Sequence, residues 1–215
     1  QKDFLEAAVE GATAIVEGKL ASMNVSSQQN DRCFIYNNIF YTFCADDTLK
    51  ICQPRGEDAP ATVVTASKDL DHASLLGELD GSEVHSVQTA LIRYRGYCVT
   101  AQSLIQGILY YDEKTWTKYG SVDEGQSIAD DQAFCEAVKK ISKIFHAKDD
   151  LVYIDKEGKK HTMSSPIDVK GIQGGDGRKY VLDLFRLCPR DLNWEGPEFD
   201  AVIFRPKLVE NYLFN

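Results

Sequence analysis

The sequence predicts an α+β fold with largely antiparallel sheets and interleaved helices, and three observations carry that expectation. Residues 3–17 and 130–146 place apolar side chains at helical spacing. Several short runs rich in aromatic and β-branched residues lie between Gly, Asn and Asp clusters, as hairpin strands do. No regular strand–helix–strand alternation and no solenoid-type repeat is present, which argues against a parallel sheet.

In order along the chain, the first helix is DFLEAAVEGATAIVE. Phe4, Leu5, Ala8, Val9, Ala12, Ile15 and Val16 make its apolar face, Asp3 is the expected N-cap and Gly18 the stop. Residues 33–44, CFIYNNIFYTFC, read as strand, broken at Asn37-Asn38 by a bulge or tight turn. Thr48–Gln53 is expected to pair back after a turn at Asp46-Asp47. Residues 54–81 read as a long polar loop with a short helix near His72–Leu76. Val84, Val87, Leu91 and Ile92 predict a helix over 82–94, capped by Ser82 and ended by Gly96. Residues 97–109 predict one or two strands and 116–122 another, with a turn at 123–125. The second strong helix spans 130–146. Its acids lie at the start and its bases near the end, as the helix dipole favours. Residues 151–163, LVYI–DKEG–KKHTM, predict a hairpin. A second hairpin follows, in which 167–172 turns through Gly174, Gly175, Asp176 and Gly177 into an apolar run containing Asp183. After Pro197 come a short apolar run (201–204) and a final helix from about Pro206.

The chain has 215 residues, enough for one domain over 1–215 with 1–125 and 126–215 as the finer division. Six scattered cysteines without CxxC spacing predict mostly buried free thiols in a reducing compartment. No apolar run is long enough to cross a membrane, so no membrane insertion is expected. The amino-terminal residues lack the pattern of a signal peptide, and a chain opening QKDFLEAAVEG is expected to be cut from a longer protein. The net charge of −9 is uneven: residues 1–93 carry 7 Lys+Arg against 14 Asp+Glu, and 94–215 carry 17 against 19. Nucleic-acid affinity begins with phosphate neutralisation by Lys and Arg, so the isolated domain is expected to be a weak RNA binder. Only 139–170 offers a local basic surplus, read as a solvated helix face plus a charged hairpin.

The search for chemistry excludes most classes. The four histidines (72, 85, 146, 161) lack metal-ligand spacing and read as surface or capping residues. There is no GxSxG elbow, and GIQGGDGR lacks the Lys-Ser/Thr of a P-loop. One constellation remains. Asp168-Val169-Lys170 precedes Asp183 by a hairpin, which resembles the D-x-K loop and metal-binding Asp of phosphotransferases of the protein-kinase type. Within the α+β class this makes a two-lobed protein-kinase/SAICAR-synthase-like fold the alternative, with Asp168, Lys170 and Asp183 near a nucleotide cleft. No phosphate-covering Gly loop or phosphate-anchoring Lys appears in 33–52. The plainer reading pairs Asp183 with Arg178, Arg186 or Arg190, since a lone buried carboxylate is costly.

Six blocks in order then resemble the Clu domain of the clustered mitochondria protein family. They are EAAVEGATAIVEGKL (6–20), IYNNIFYTF (35–43), YRGYCVTAQSLIQGIL (94–109), YGSVDEG (119–125), SSPIDVKGIQGGDGRKYVLDLFRLCPRDLNW (164–194) and FRPKLVENY (204–212). The positions matching the family motif include Asn38, Tyr94, Arg95, Gly96, Gln102, Gly120, Asp123, Lys170, Gly171, Asp176, Gly177, Arg178, Asp183 and Arg186. The chain departs from the motif at Cys98, in place of an arginine, and at Gln106, Asp168 and Leu187. The resemblance implies a non-catalytic central domain of a cytoplasmic protein that acts in mitochondrial distribution. It also implies binding and translation of messenger RNAs for mitochondrial proteins by the full-length protein. Implied partners are the ribosome or a translation initiation factor complex, and other domains of the same protein. No catalytic residue, cofactor or metal is implied.

Overall fold

A computed structural model of the chain describes residues 2–24, 32–44, 70, 83–110, 116–123, 125–144, 147–148, 150–187, 193 and 211–212. These fall into two compact units, one holding 2–70 and 87–104, the other 83–86 and 105–193 together with 211–212. Among the described residues the chain changes unit between 70 and 83, between Ser86 and Val87, and between Leu104 and Ile105.

The first unit is a helix on a sheet. Helix α1 spans Lys2–Val16. The strands are β1 (Cys33–Tyr36), β2 (Ile39–Phe43), β3 (Thr89–Tyr94) and β4 (Tyr97–Ser103), in the antiparallel order β1-β2-β4-β3. Both hairpins close through two-residue turns whose residues all have positive φ: Asn37 (49°) and Asn38 (58°), then Arg95 (49°) and Gly96 (81°). This geometry matches the right-handed twist of paired strands, and it favours Asn and Gly. Ala8, Ala12 and Ile15 of α1 meet Phe34, Tyr41, Val99 and Ala101 of the sheet in one core. The small residues of α1 bring it close to the sheet. A Cβ on Gly11 would overlap the Tyr41 ring, whose hydroxyl donates to the Ala7 carbonyl at 3.0 Å.

The second unit holds β5 (Thr117–Gly120), β6 (Ala129–Asp130), β9 (Lys170–Gln173) and β10 (Lys179–Leu182), in the order β10-β9-β5-β6, with a separate hairpin of β7 (Leu151–Ile154) and β8 (Lys160–Met163). Helix α2, Gln132–Ile144, starts at Asp131, whose carboxylate accepts from Ala133 N (3.0 Å) and Phe134 N (3.2 Å) as an N-cap. Phe134, Ala137, Val138 and Ile141 bury against Tyr119, Val169 and Val181. Each of the large apolar side chains contributes about 1.5–3 kcal/mol by leaving water.

Two expectations fail here. The helix predicted over 82–94 is instead a β-bridge at His85 followed by strand β3. The apolar spacing there was shared between cores, since Val84 joins the second core and Ile92 packs against the first. The tight Arg95-Gly96 turn then commits Thr89–Tyr94 to pairing with β4. Asp183 is not inside a strand. It follows β10 at φ 58° and opens a 3₁₀ turn, Leu184–Leu187, with Arg186 N donating to its carbonyl at 3.0 Å. The expected strand at 48–53, loop at 54–81, run at 201–204 and helix from Pro206 lie outside the described residues.

Candidate functional site

The base of the β9–β10 hairpin gathers the three residues singled out for chemistry. Lys170 opens β9 and pairs in register with Leu182, so Asp183, the next residue, comes beside the loop carrying Asp168. Arg186 Nη1 lies 3.6 Å from Asp168 Oδ2, with both side chains part-exposed. Burial pushes the half-buried Asp183 carboxyl above its usual range; Arg186 and then Lys170 pull it back, and the negative charge of Asp168 adds to the rise. Two carboxylates, a guanidinium and an ammonium make a mixed-charge network. Among the described residues no three His, Cys, Asp or Glu side chains group as a metal site would require. Of the three arginines proposed for Asp183, Arg186 acts on it, Arg178 instead lies 3.8 Å from Asp176, and Arg190 is outside the described residues.

The other motif positions shape backbone and packing. Gly120 has φ 88°, and a Cβ there would overlap the Val169 carbonyl oxygen and lie 2.8 Å from that of Ile167. Only glycine lets β5 approach the 167–169 loop this closely. A Cβ on Gly171 would lie 2.5 Å from the Phe134 ring and 2.7 Å from Tyr119. Asp123 organises its turn by accepting from Ser121 Oγ (3.0 Å), Ser127 N (2.8 Å) and Ser127 Oγ (2.7 Å). Asp176 accepts from Arg178 N (3.1 Å) and Tyr180 OH (2.8 Å), and Gly177 takes φ 79° to complete the β9–β10 turn. In the first unit Asn38 O accepts from Leu104 N at 3.0 Å, and Gln102 Nε2 donates to Thr89 Oγ1 at 3.4 Å. Tyr94 OH donates to Glu17 at 2.9 Å, while Arg95 reaches the same carboxylate at 3.8 Å and stacks 5.2 Å over the Tyr94 ring. The Tyr94-Arg95-Gly96 turn thus clasps the end of α1. Cys98, on β4, sits beside Cys44, which follows β2 and whose N–H donates to the Cys98 carbonyl at 2.9 Å. Burial pushes the Cys44 thiol up to about 11. The described cysteines 33, 44, 98 and 135 are free and half-buried rather than fully buried.

One residue escaped the sequence reading. His161, expected as a surface or capping residue, is buried to 1% exposure between two carboxylates, with Nδ1 2.9 Å from Asp130 and Nε2 3.0 Å from Asp155. The alternation in β8 held the signal, because it places His161 on the same face as Met163.

The model of the clustered mitochondria family matches residues 1–194. The clustered mitochondria protein homologs of Pyricularia oryzae and Neurospora crassa are each 34% identical to the chain, over 98% and 97% of its length. The clustered mitochondria protein of Arabidopsis thaliana is 30% identical over 98%. The chain spans 17% of each of these relatives. No solved structure matches it. A family match over most of the chain, together with relatives above 30% identity along nearly its whole length, establishes that the chain belongs to the clustered mitochondria family.

Proposed function

We propose that this chain is a non-catalytic binding domain of a cytoplasmic clustered mitochondria protein, working in the distribution of mitochondria and in the binding and translation of messenger RNAs for mitochondrial proteins. Family membership along nearly the whole chain carries this reading. The motif residues support a scaffold role, because they form turns, close approaches and ion pairs rather than a set of convergent nucleophiles and bases. Partners of the full-length protein on this reading are the ribosome or an initiation factor complex, with other domains supplying the basic surface. The test is a chimaera in which this chain replaces the matching segment of a full-length relative. Normal spread of mitochondria and normal recovery of bound messenger RNA are expected. Collapse of the mitochondria into clusters, as with the segment deleted, would refute the proposal.

A second reading rests on one observation: Asp168, Lys170 and Asp183 meet at one end of a hairpin, as in a kinase-type phosphotransferase. On that reading the chain is a degenerate nucleotide-binding domain. A ligand that binds only the native state raises its melting temperature, so ATP with Mg²⁺ gives a thermal shift that Asp183→Asn removes. A flat response to millimolar ATP and Mg²⁺ discards it.

A further inference from the structure

The sheet of the first unit brings two cysteines face to face. Phe43 of β2 pairs in register with Val99 of β4, and the next step along the ladder sets Cys44 opposite Cys98. Cys44 N donates to Cys98 O at 2.9 Å, so the pairing continues one residue past the end of β2. Bonded and non-bonded pairs alternate along an antiparallel ladder. Leu104 N donates to Asn38 O at the other end of the same ladder, so Cys44 and Cys98, six residues further along each strand, again make a bonded pair. The Cα atoms of such a pair lie about 5.5 Å apart. The commonest separation across a disulfide is about 5.5–6 Å.

The side-chain directions agree. Phe43 and Val99 are buried in the core that the sheet shares with α1. Successive side chains of a strand alternate between faces, so Cys44 and Cys98 both point to the opposite face. Both are half-buried there. Cys44 Sγ lies 3.1 Å from the hydroxyl of Thr100, the next residue of β4 on that face. Burial pushes the Cys44 thiol up, the Thr100 hydroxyl pulls it back, and the Cys98 thiol acts on it directly and adds to the rise. Cys33 shares the face but pairs with Thr42. That leaves it diagonal to Cys44 at about 7–8 Å, beyond the reach of a disulfide at about 7 Å.

We propose that Cys44 and Cys98 form a reversible cross-strand disulfide, made and broken by exchange with a small thiol–disulfide couple of the glutathione type. Closing the bond consumes one glutathione disulfide. The thiolate of one cysteine attacks a sulfur of glutathione disulfide, which forms a mixed disulfide and releases one glutathione thiolate. The thiolate of the other cysteine then attacks the protein sulfur of the mixed disulfide, which closes the Cys44–Cys98 bond and releases the second glutathione. The protein dithiol gives up two electrons and two protons, and the glutathione disulfide is reduced to two thiols. Both sulfurs are half-buried rather than enclosed, so glutathione also reaches the bond to reverse it. Disulfides within such reach are the labile ones. Once closed, the bond ties the residue that follows β2 to β4, and so joins the two ends of the stretch 45–97.

The test equilibrates the whole 215-residue chain, fully reduced at the start, in buffers of fixed glutathione and rising glutathione disulfide. Remaining thiols are blocked with N-ethylmaleimide and the peptides are mapped by mass spectrometry. Cys44 and Cys98 are expected to lose their alkylation together and to appear as one cross-linked peptide pair, lighter by two hydrogens than the separate thiol peptides. Excess glutathione is expected to restore both thiols. The fold holds the two sulfurs together, whereas in urea only random loop closure does so. Half-conversion of the native chain is therefore expected at a glutathione disulfide concentration at least about tenfold lower than in urea. Cys44→Ser, checked for folding by its melting curve, is expected to stop at the mixed disulfide on Cys98. The proposal is overturned if Cys44 and Cys98 of the native chain stay alkylated in buffers that oxidise the unfolded chain. Mixed disulfides that accumulate on both cysteines without the cross-link overturn it as well. So does a Cys44–Cys98 cross-link that forms no more readily in the native chain than in urea.

Discussion

At the scale of the residue, two glycines with similar backbone angles have different roles. Gly96 has φ 81° with nothing within 4 Å of a built Cβ, so Gly96→Ala meets only the left-handed strain of about 1–2 kcal/mol. Gly120 has φ 88° and also abuts two carbonyl oxygens of the 167–169 loop, which cannot retreat without opening β5 from β9. Gly120→Ala is expected to cost about 3 kcal/mol or more, as strain and steric overlap add, and urea unfolding of the two variants side by side measures the difference. Asp183 gives a prediction with a sign. Burial raises its folded-state pKa above the unfolded value, so between the two values the folded state holds more protons and stability falls as pH rises. Asp183→Asn keeps the left-handed backbone that Asn tolerates and removes the buried charge. Its melting temperature at pH 7 is expected to lie about 2–4 °C above that of the parent, with the difference shrinking at acidic pH. A variant that melts lower at pH 7 would mean that the attraction of the Arg186 and Lys170 charges outweighs the desolvation of Asp183.

At the scale of the element, the β7–β8 hairpin is held by a buried imidazole between two acids. Hydrogen bonding from His161 pulls the Asp155 carboxyl below its ordinary range, burial opposes this, and the N–H groups of Lys159 and Glu157 add to the lowering. A depressed folded-state pKa stabilises above the unfolded value of about 3.9 and is lost as pH falls through the folded one. Amide exchange in β7 and β8 is therefore expected to accelerate below about pH 4, before that of α1, and Asp155→Asn to remove the pH dependence. Exchange that accelerates equally in α1 would place the acid-labile group elsewhere. Elements of this kind were legible where local chemistry decided them. Gly174–Gly177 and the Asp155–Lys159 turn each forced a hairpin, Asn37-Asn38 marked a break that the structure shows to be a tight turn rather than a bulge, and α1 and α2 carried apolar faces with caps. Residues 83–94 were misread because their helical spacing came from side chains that serve two different cores. His161 was misread because its partners, Asp130 and Asp155, are distant or unremarkable in sequence and meet it only when β6 and β8 come together. The gathering of Asp168, Lys170 and Asp183 was visible, because one hairpin spans all three. Their network with Arg186 was clear only once β10 was seen to end before Asp183.

At the scale of the whole molecule, charge decides what the chain can hold without help. The net charge is −9, and three lysines of the basic surplus between 139 and 170 face acids of the same chain. Lys140 lies 2.5 Å from Glu83, Lys139 3.3 Å from Asp150, and Lys159 3.7 Å from Asp130. A phosphate backbone would have to displace these carboxylates and then stay on a chain whose net charge has its own sign. Exposed pairs of this kind are worth only about 0–1 kcal/mol each, so displacement is not the barrier. The barrier is that each released carboxylate remains near the phosphates and cancels the gain. Counterion release scales with the number of phosphates neutralised, at a log–log slope of about −0.7 per contact for single strands. The 215-residue chain is therefore expected to bind single-stranded RNA with a Kd above about 10 µM at physiological salt and a slope no steeper than about −1.5, corresponding to one or two phosphate contacts. Fluorescence anisotropy with a labelled RNA across a salt series measures both. Submicromolar binding with a steep slope would mean that this domain, rather than the remainder of a full-length clustered mitochondria protein, carries the RNA-binding surface.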